Sequence, residues 1–490
     1  MNQERGRNNQ ARCVMVLGTT SGAGKSWLAT ALCRWYARQG FKVAPYKAQN
    51  MSNNARVVAG GEIGSAQYFQ ALAAGTEPDV RMNPLLLKPE RDTHSQVVLM
   101  GQVSAELSAL PWRGRSEHVW PQLARALDEL RAEHDIVVIE GAGSPAEINL
   151  MDSDIVNLRV ARHAEASCLL VTDIDRGGAF AHLYGTWALM PEADRARLAG
   201  FVLNKFRGDA SLLAPAPERL QALTGVPTLA TLPMWWQHGL PEEDGVFDER
   251  STAAGEVRLT VAVIAWPRLS NLDEFQPLKN VAGVRLRWVR SPAELAGADW
   301  VVLPGSKNTS GDLAWLRTQG LDRAVADHAA RGGAVLGICG GLQMLGEALI
   351  DPHGVDGNGP GLGLLPLVTM FEADKTVRLR TARFGVLKGP WAALSGVTMH
   401  GYEIHHGRTA PHPAMAAAGD RAEAVMAEDL AWQNAKGNVL GLYLHGLFED
   451  AAVLQALFGA RARTLEAVFD GLADHIDTHF EAGALRSLIE

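Results

Sequence analysis

The feature that most constrains the fold is a glycine-rich segment between an apolar strand and a helical pattern near the amino terminus. Residues 14–17, VMVL, form an apolar run of strand length, and residues 26–39 have the apolar spacing of a helix. The segment between them reads GTTSGAGK. A strand, a glycine-rich loop and a helix in this order are typical of a phosphate-binding loop. The sequence therefore predicts a nucleotide-binding α/β domain at the amino terminus.

The residue types in this loop have the chemistry that ATP and Mg²⁺ require. Backbone N–H groups at glycines can turn towards an anion, Lys25 can reach the outer phosphates, and the Ser26 hydroxyl can meet Mg²⁺. Gly18 stands six positions before Gly24, one more than the usual spacing. The alternative is a glycine-rich turn that binds nothing, and the Lys-Ser pair argues against it. The predicted nucleotide-binding residues here are Gly18, Thr20, Gly22, Gly24, Lys25 and Ser26.

Length and composition limit the class of protein. A chain of 490 residues is too long for one core, and we expect two large domains because a domain has about 150 residues. The net charge of -8, without a Lys/Arg block, predicts no binding to nucleic acid. No apolar run approaches the roughly 18 residues of a membrane span, and the first dozen residues lack the apolar core of a secretion signal. A cytoplasmic location is expected, and the oligomeric state is not predicted.

Polar clusters follow the carboxyl ends of predicted strands in the first domain. In open α/β sheets ligands bind outside these ends, so the polar residues there are candidate substrate contacts. One cluster follows the predicted strand 41–46 in a predicted loop, and a hydrophilic surface loop is the alternative reading. The predicted substrate-binding residues are Lys47, Gln49, Asn50, Ser52, Asp173 and Arg176.

Two further strand ends have assigned roles. Glu140 ends the apolar strand 136–139, where a magnesium ligand or an orienter of its water is expected, so Ser26 and Glu140 are the predicted metal site. Asn204 ends the strand 200–203, and its amide is suited to the adenine edge of the nucleotide. Between these elements, residues 60–75 predict a glycine-bounded helix with Glu62 in its first turn. Regularly spaced strands with helical patterns between them predict a doubly wound, mostly parallel sheet.

A second α/β series follows a stretch rich in Pro, Gly and acidic residues. The predicted boundaries are 12–235 for the first domain, 236–257 for a linker and 258–452 for the second domain. Apolar residues at helical spacing predict one amphipathic helix over 453–490, packed on the body of the protein.

Cys339 is the candidate nucleophile of the second domain. It lies in GICGG, a G-x-C-x-G pattern at a strand-to-helix junction, where small neighbours allow a strained turn that exposes the sulfur at a helix N-terminus. A buried structural cysteine is the alternative. Gly340 and Gly305 are the predicted oxyanion donors through their N–H groups. His445 follows an apolar strand and is the predicted base. The His-rich run 400–406 is predicted to be a shaping or substrate loop, because further metal ligands are missing.

These motifs resemble known families. The second domain resembles the class I glutamine amidotransferases, and the first resembles the dethiobiotin synthetase group of P-loop ligases, including the lengthened loop. Together they resemble the cobyric acid synthase family from about residue 14 to residue 450. The most specific stretches are KAQNMS at 47–52, GEIG at 61–64, DIDRGG at 173–178 and YLHGLF at 443–448.

The resemblance implies a two-site reaction. Glutamine hydrolysed at Cys339, with His445 as base, would yield ammonia, while ATP would activate the b, d, e and g carboxylates of (adenosyl)cobyrinic acid a,c-diamide as acyl phosphates. The product would be cobyric acid, in cobalamin biosynthesis. The glutamate that usually follows the histidine by two positions is replaced by Leu447, so what orients His445 stays open. Glu449 is the nearest acid in the sequence, and we expect Glu449→Gln to have only a small effect.

Two alternative functions follow from the same motifs. A sister family amidates the a and c carboxylates of cobyrinic acid, and the Gln-Asn-Met-Ser run at 49–52 favours cobyric acid synthase over that family. The other alternative is a partition-type ATPase fused to a degenerate amidotransferase-like module. The presence of both Cys339 and His445 argues against it.

Overall fold

The first domain is built on a six-stranded parallel sheet, in a computed structural model that describes residues 10–91, 94–236, 238–241, 256–459 and 464–490. The sheet order is β12-β11-β10-β1-β9-β2. The strands of this domain are β1 Arg12–Gly18, β2 Val43–Tyr46, β3 Gln49–Met51, β4 Ala55–Val58, β5 Gly61–Gly64, β6 Leu85–Arg91, β7 His94–Leu99, β8 Gln102–Val103, β9 Ile136–Glu140, β10 Ser167–Asp173, β11 Leu198–Phe206 and β12 Thr228–Pro233. The helices are α1 Lys25–Arg38, α2 Ser65–Ala74, α3 Ala105–Ala109, α4 Trp112–Glu133, α5 Leu158–Ala164, α6 Ala179–Leu189, α7 Glu192–Arg195 and α8 Ala216–Thr224.

Both faces of this sheet are covered, which explains why its central strands are apolar throughout. Along β1, Met15 and Leu17 belong to one hydrophobic core, and Val14 and Val16 belong to the core on the opposite face. This alternation follows from the two-residue period of a strand. The doubly wound parallel sheet predicted from the sequence is confirmed.

The second domain contains a seven-stranded sheet of order β15-β13-β16-β18-β25-β24-β23, in which β24 runs antiparallel to both of its neighbours and the other strands run parallel to one another. Its strands are β13 Leu259–Ile264, β14 Leu269–Ser270, β15 Val284–Val289, β16 Trp300–Leu303, β17 Gly305–Ser306, β18 Ala334–Ile338, β19 Ala348–Ile350, β20 Gly359–Pro360, β21 Leu367–Arg383, β22 Thr398–Pro411, β23 Glu423–Met426, β24 Ala431–Gln433 and β25 Val439–Leu442. Its helices are α9 Gln276–Lys279, α10 Thr309–Thr318, α11 Leu321–Ala330, α12 Gly340–Leu345, α13 Pro413–Ala417 and α14 Ala451–Phe458.

Three local predictions are wrong. The run 400–406 is part of β22, which pairs with β21 in a long antiparallel hairpin, and is not a loop. Glu62 lies on β5, because left-handed Gly60 forms the turn between β4 and β5, and the helix begins only at Ser65. The loop expected after β2 contains the short strand β3, paired with β6. The hairpin β21–β22 packs against β4 and so joins the two domains.

The described residues of the carboxyl-terminal stretch form three helices, α14, α15 Leu465–His479 and α16 Ala484–Ser487. The prediction of a single helix over 453–490 is therefore wrong, because left-handed Gly459 ends α14. The amphipathic pattern itself is confirmed in α15, which buries Phe469 and Leu472 in a core shared with α1 of the first domain. Of the predicted linker, residues 237 and 242–255 lie outside the described residues. No helix within the described ranges has both the length and the apolar character that crossing a membrane requires.

Candidate active site

Cys339 lies on a strained turn between β18 and α12. Its φ is 51° and its ψ is -106°, a conformation that non-glycine residues rarely adopt. A methyl group on Gly341 would come 1.9 Å from the carbonyl oxygen of Leu303, so only glycine fits there. The turn therefore has the strained geometry that the G-x-C-x-G pattern predicts, and it places the sulfur before the first turn of α12.

The Cys339 thiol donates to the carbonyl oxygen of Ile404 at 3.6 Å, and its sulfur lies near enough to His445 to raise the pKa of that imidazole. The Nδ1 atom of His445 lies 3.2 Å from Oε1 of Glu274, and the N–H of Gly446 donates to Oε2 of the same carboxylate at 3.0 Å. Both His445 and Glu274 are buried. The structure thus assembles a Cys-His-Glu triad whose acid comes from the 3-10 turn Leu272–Phe275.

Glu274 determines the protonation state of the histidine. Burial by itself lowers the pKa of His445, but the Glu274 carboxylate and the Cys339 sulfur outweigh burial and raise this pKa to about 10. The imidazole therefore keeps its proton through the neutral pH range. A protonated His445 can give that proton to a leaving amine.

The sequence did not identify Glu274. Only residues after His445 were considered as the acid that orients this histidine. Leu447 is buried in the core of the second domain. Glu449 does not contact His445, since both of its carboxylate oxygens bind Arg56 of the first domain at 2.8 and 2.7 Å. Glu274 precedes His445 by 171 residues, in a turn without a motif around it. The only available signal was an acid in the loop after the first strand of the second domain.

Glu274→Gln is expected to lower the kcat of glutamine hydrolysis by on the order of 10³-fold, because an amide supports neither the tautomer nor the charge of His445. Glu449→Gln should lower it far less, because Glu449 does not touch the imidazole. The measurement is steady-state glutamine hydrolysis by both variants, with folding checked by circular dichroism. Equal losses, or a larger loss in Glu449→Gln, would contradict the assignment of Glu274 to the triad.

The two predicted oxyanion residues lie on either side of the triad. Gly340 begins α12, directly after Cys339. Gly305 lies against the imidazole, since a methyl group there would come 2.8 Å from Cε1 of His445. The Ser306 nitrogen is 2.9 Å from the position of a Cβ on Gly340, and Ser306 lines the cavity at Cys339. Ser306 is therefore a further candidate donor that the sequence did not single out.

The cavity at Cys339 has a volume of about 90 Å³ and is lined by both domains. Lysines and polar side chains dominate the lining. Glu62 is paired with Lys88 at 2.7 Å and with Lys375, and Lys307 is paired with Glu90 at 3.0 Å. The lining includes Asn53, Lys88, Lys307, Gln343, Lys375 and His406. The cavity at Cys339 therefore opens onto residues of the first domain.

The phosphate loop has the geometry expected of one. The ammonium of Lys25 donates to the carbonyl oxygens of Thr20 and Gly143 at 3.1 and 3.2 Å. Gly24 has a φ of 98°, and a methyl group there would come 2.0 Å from Nδ2 of Asn204. That amide donates to the carbonyl of Ala23 at 2.9 Å, so Asn204 lies directly on the loop.

Glu140 links Ser26, beside the phosphate loop, to Lys47, which follows β2. It accepts hydrogen bonds from the Ser26 hydroxyl and the Lys47 ammonium, each at 2.8 Å, and from the Gln70 amide at 2.6 Å. Burial raises the pKa of Glu140, but Lys47 and the hydrogen bonds outweigh burial and lower it below its usual value. The two predicted metal ligands, Ser26 and Glu140, are therefore in contact. In the described part of the chain, no group of three or more His, Cys, Asp or Glu side chains could hold a metal ion.

The other predicted substrate residues fall into two groups. Gln49, Asn50 and Ser52 are buried, which excludes the alternative of a hydrophilic surface loop. Asp173 pairs with Lys205 at 3.2 Å and with the mostly exposed Arg176 at 3.6 Å. Lys205 was not identified from the sequence. Its ammonium also donates to Gly22 of the phosphate loop at 2.7 Å, and its φ is 62°.

Comparison with known proteins finds one family match in each domain. The CobQ/CobB/MinD/ParA nucleotide binding domain matches residues 14–242, and the CobB/CobQ-like glutamine amidotransferase domain matches residues 260–453. The cobyric acid synthase of Variovorax paradoxus (strain S110) is 82% identical over 98% of this chain and 99% of its own length. The chain belongs to the cobyric acid synthase family.

Other cobyric acid synthases are similar over the same extent. Those of Polaromonas sp. (strain JS666 / ATCC BAA-500) and Polaromonas naphthalenivorans (strain CJ2) are 76% and 78% identical over 98% of this chain, and cover 98% and 99% of their own lengths. Among solved structures, PurLQS from Thermotoga maritima is 18% identical and covers 44% of this chain and 97% of its own, with a TM-score of 0.31.

Proposed function

We propose that the chain is an ATP-dependent, glutamine-hydrolysing amide ligase that converts (adenosyl)cobyrinic acid a,c-diamide to cobyric acid by amidating its b, d, e and g carboxylates. The observation that carries this proposal is the near-complete similarity to cobyric acid synthases, at 82% identity. The Cys339–His445–Glu274 triad and the phosphate loop at Lys25 support it, since each domain contains the groups that its half of the reaction needs.

The second domain releases ammonia from glutamine. The Cys339 thiol proton passes to His445 as the sulfur attacks the side-chain amide carbon. His445 then gives a proton to the leaving nitrogen, which departs as ammonia and leaves a glutamyl thioester. Water then hydrolyses the thioester to glutamate and restores the thiol. Gly340 and Gly305 are proposed to donate their N–H groups to the oxyanion. The positively charged lysines that line the cavity are proposed to attract the α-carboxylate of glutamine.

The first domain activates the corrinoid. A carboxylate of the corrinoid attacks the γ-phosphorus of ATP, and ADP leaves as the acyl phosphate forms. Ammonia then displaces inorganic phosphate from the acyl phosphate to give the amide. The nucleotide is proposed to bind at the loop residues 18–26 and at Asn204. The corrinoid is proposed to contact Lys47, Gln49, Asn50, Ser52, Asp173 and Arg176.

The residues at the loop fit a magnesium ion. The Ser26 hydroxyl and the Glu140 carboxylate are adjacent hard oxygen donors, and a carboxylate or two with phosphate oxygens is what Mg²⁺ prefers. The Lys47 ammonium, 2.8 Å from Glu140, balances that carboxylate with a positive charge. We propose that Ser26 and Glu140 hold the ion, which supplies charge neutralisation to the phosphates. The cytoplasmic location and the absence of nucleic-acid binding and membrane contact stay predictions from the sequence.

The test is a substrate comparison. The protein is incubated with ATP, glutamine and either cobyrinic acid a,c-diamide or cobyrinic acid, and the products are identified by mass. We expect four amidations of the diamide. Amidation confined to two carboxylates of cobyrinic acid would favour the sister activity. ATP hydrolysis without consumption of glutamine would favour a partition-type ATPase.

A further inference from the structure

A buried arginine of the first domain lies beside the triad of the second. Arg56, on β4, is 2% exposed. Its guanidinium binds both oxygens of Glu449 and also one oxygen of Asp273. Asp273 directly precedes Glu274, and Glu449 follows His445 by four positions. Arg56 therefore contacts a sequence neighbour of each member of the His-Glu pair.

Tyr402 lies between Arg56 and His445. The guanidinium carbon of Arg56 is 5.2 Å from the centroid of the Tyr402 ring, a distance at which a cation is attracted to the ring face. The Tyr402 ring also stacks on the imidazole of His445, with ring centroids 5.4 Å apart and ring planes at 22° to each other. The N–H of His445 also donates to the Tyr402 carbonyl at 3.0 Å. Arg56 thus contacts one side of the Tyr402 environment, and the imidazole of His445 stacks on the same Tyr402 ring.

The segment that contains Glu274 is also bound to the start of β4 and the residue before it, by two bonds between a backbone N–H and an asparagine side chain. The N–H of Ala55 donates to Oδ1 of Asn271, and the N–H of Leu272 donates to Oδ1 of Asn54, each at 3.0 Å. Together with Arg56, three consecutive residues of the first domain bind the turn. The position of Glu274 therefore depends on the first domain.

Arg56 is itself fixed by the helix that reaches the phosphate site. Tyr68 and Phe69 of α2 contact the guanidinium, at 5.6 and 5.1 Å from their ring centroids. The next residue, Gln70, donates to Glu140 beside the phosphate loop. One short helix segment therefore contacts both the Glu140 site and the arginine beside the triad.

Stability alone does not explain this arrangement. Burying an ion cluster costs free energy that apolar packing of similar volume would avoid. Nε of Arg56 and Oδ1 of Asp273 are buried without a hydrogen bond to any described residue. An interface that only needed to adhere would use apolar side chains here, so the cluster points to a positional role.

We propose that Arg56 is a positioning residue of the glutaminase reaction, supplied by the first domain, which holds Glu274 and Tyr402 against His445. The inference rests on the proposed function, because it assigns Arg56 to the hydrolysis of glutamine at Cys339. Arg56 acts through the triad and touches no reacting atom. The charged and titratable groups facing His445 are Cys339, Glu274 and Tyr402, with Asp273, Glu449 and Arg56 next to them.

The test compares two Arg56 variants with a matched arginine. Arg56→Lys keeps the charge but loses the two-pronged contact. Arg56→Met/Glu449→Gln removes one charge of each sign, so the buried cluster keeps its net charge. This double variant can therefore be tested even if Arg56→Met alone does not fold. Glu449→Gln is its reference. Arg34→Met is the control, since Arg34 also pairs with two carboxylates across an interface, Glu466 and Asp470, but on α15.

The measurements distinguish a role of Arg56 in positioning the triad from a role in stability alone. We expect the kcat of glutamine hydrolysis to fall by about 10- to 100-fold in the double variant relative to Glu449→Gln, by analogy with the loss of partners that orient metal-binding side chains. The loss should be smaller in Arg56→Lys, with little change in the KM for glutamine, and synthesis with ammonium should be retained. Because a displaced Glu274 no longer holds the proton on His445, the alkaline limb of the pH–rate profile should move to lower pH.

The outcomes are distinct. Folded Arg56 variants with the kcat and pH profile of their references would overturn the inference, and so would an equal loss of glutamine- and ammonium-dependent synthesis. A wild-type protein that fails to amidate the corrinoid with glutamine would overturn the proposed function instead. An effect of Arg34→Met equal to that of the double variant would also overturn the inference.

Discussion

Cys339→Ala is expected to abolish amidation of the corrinoid with glutamine and to leave amidation with high ammonium in place. The thiol serves only to release ammonia, so its removal ends that supply without altering the phosphate loop. Synthesis with glutamine should fall to the background given by contaminating ammonium. Synthesis with ammonium should stay within about twofold of the wild-type rate, measured by product mass over time.

A second buried cysteine gives the matched control for this variant. Cys13 lies in β1 of the first domain, and burial raises the pKa of its thiol to about 11, so it is not a nucleophile at neutral pH. Cys13→Ala should keep both activities. If ammonium fails to rescue folded Cys339→Ala, the division of the reaction between two sites is wrong.

Lys25→Ala should lose synthesis with glutamine and with ammonium alike. The Lys25 ammonium lies in the loop, held by two carbonyl oxygens, where it can compensate the charge on the transferring phosphoryl group. Without it the acyl phosphate does not form, and neither nitrogen source has an electrophile to attack. We expect a loss of at least about 10³-fold with both, within the range known for cationic groups at phosphoryl transfer.

An exposed lysine of the same domain serves as the control for Lys25. Lys42 precedes β2, at the end of the sheet opposite the phosphate loop, and Lys42→Ala should behave as wild type. Ammonium-dependent synthesis retained by Lys25→Ala would contradict the assignment of the phosphate loop.

The parts of the fold that the sequence predicted are those governed by local patterns. The phosphate loop was predicted from one short segment that contains a buried strand, glycines and the start of a helix. The turn at Cys339 has the same three features and was predicted in the same way. The acid at the end of β9 was found because strands of a parallel sheet bring their carboxyl ends to one edge. Each of these inferences needs only neighbouring residues and one topological rule.

The parts that were missed depend on contacts between distant segments. Glu274 reaches His445 from a turn 171 residues earlier in the chain, and no spacing rule connects the two. Glu62 was assigned to a helix start because its glycine neighbours are typical of helix ends, whereas its partner Lys375 comes from the other domain. The hairpin β21–β22 was missed because its alternating pattern is largely exposed.

In the proposed two-site reaction, the amide nitrogen of glutamine is released at Cys339 and becomes the new amide nitrogen of the corrinoid in the first domain. The most direct measurement uses wild-type protein with ATP, cobyrinic acid a,c-diamide and glutamine labelled with ¹⁵N at the side-chain amide. We expect a product with four new amides, each carrying ¹⁵N. A product amidated without the label, or labelled ammonia released while the corrinoid stays unamidated, would contradict it.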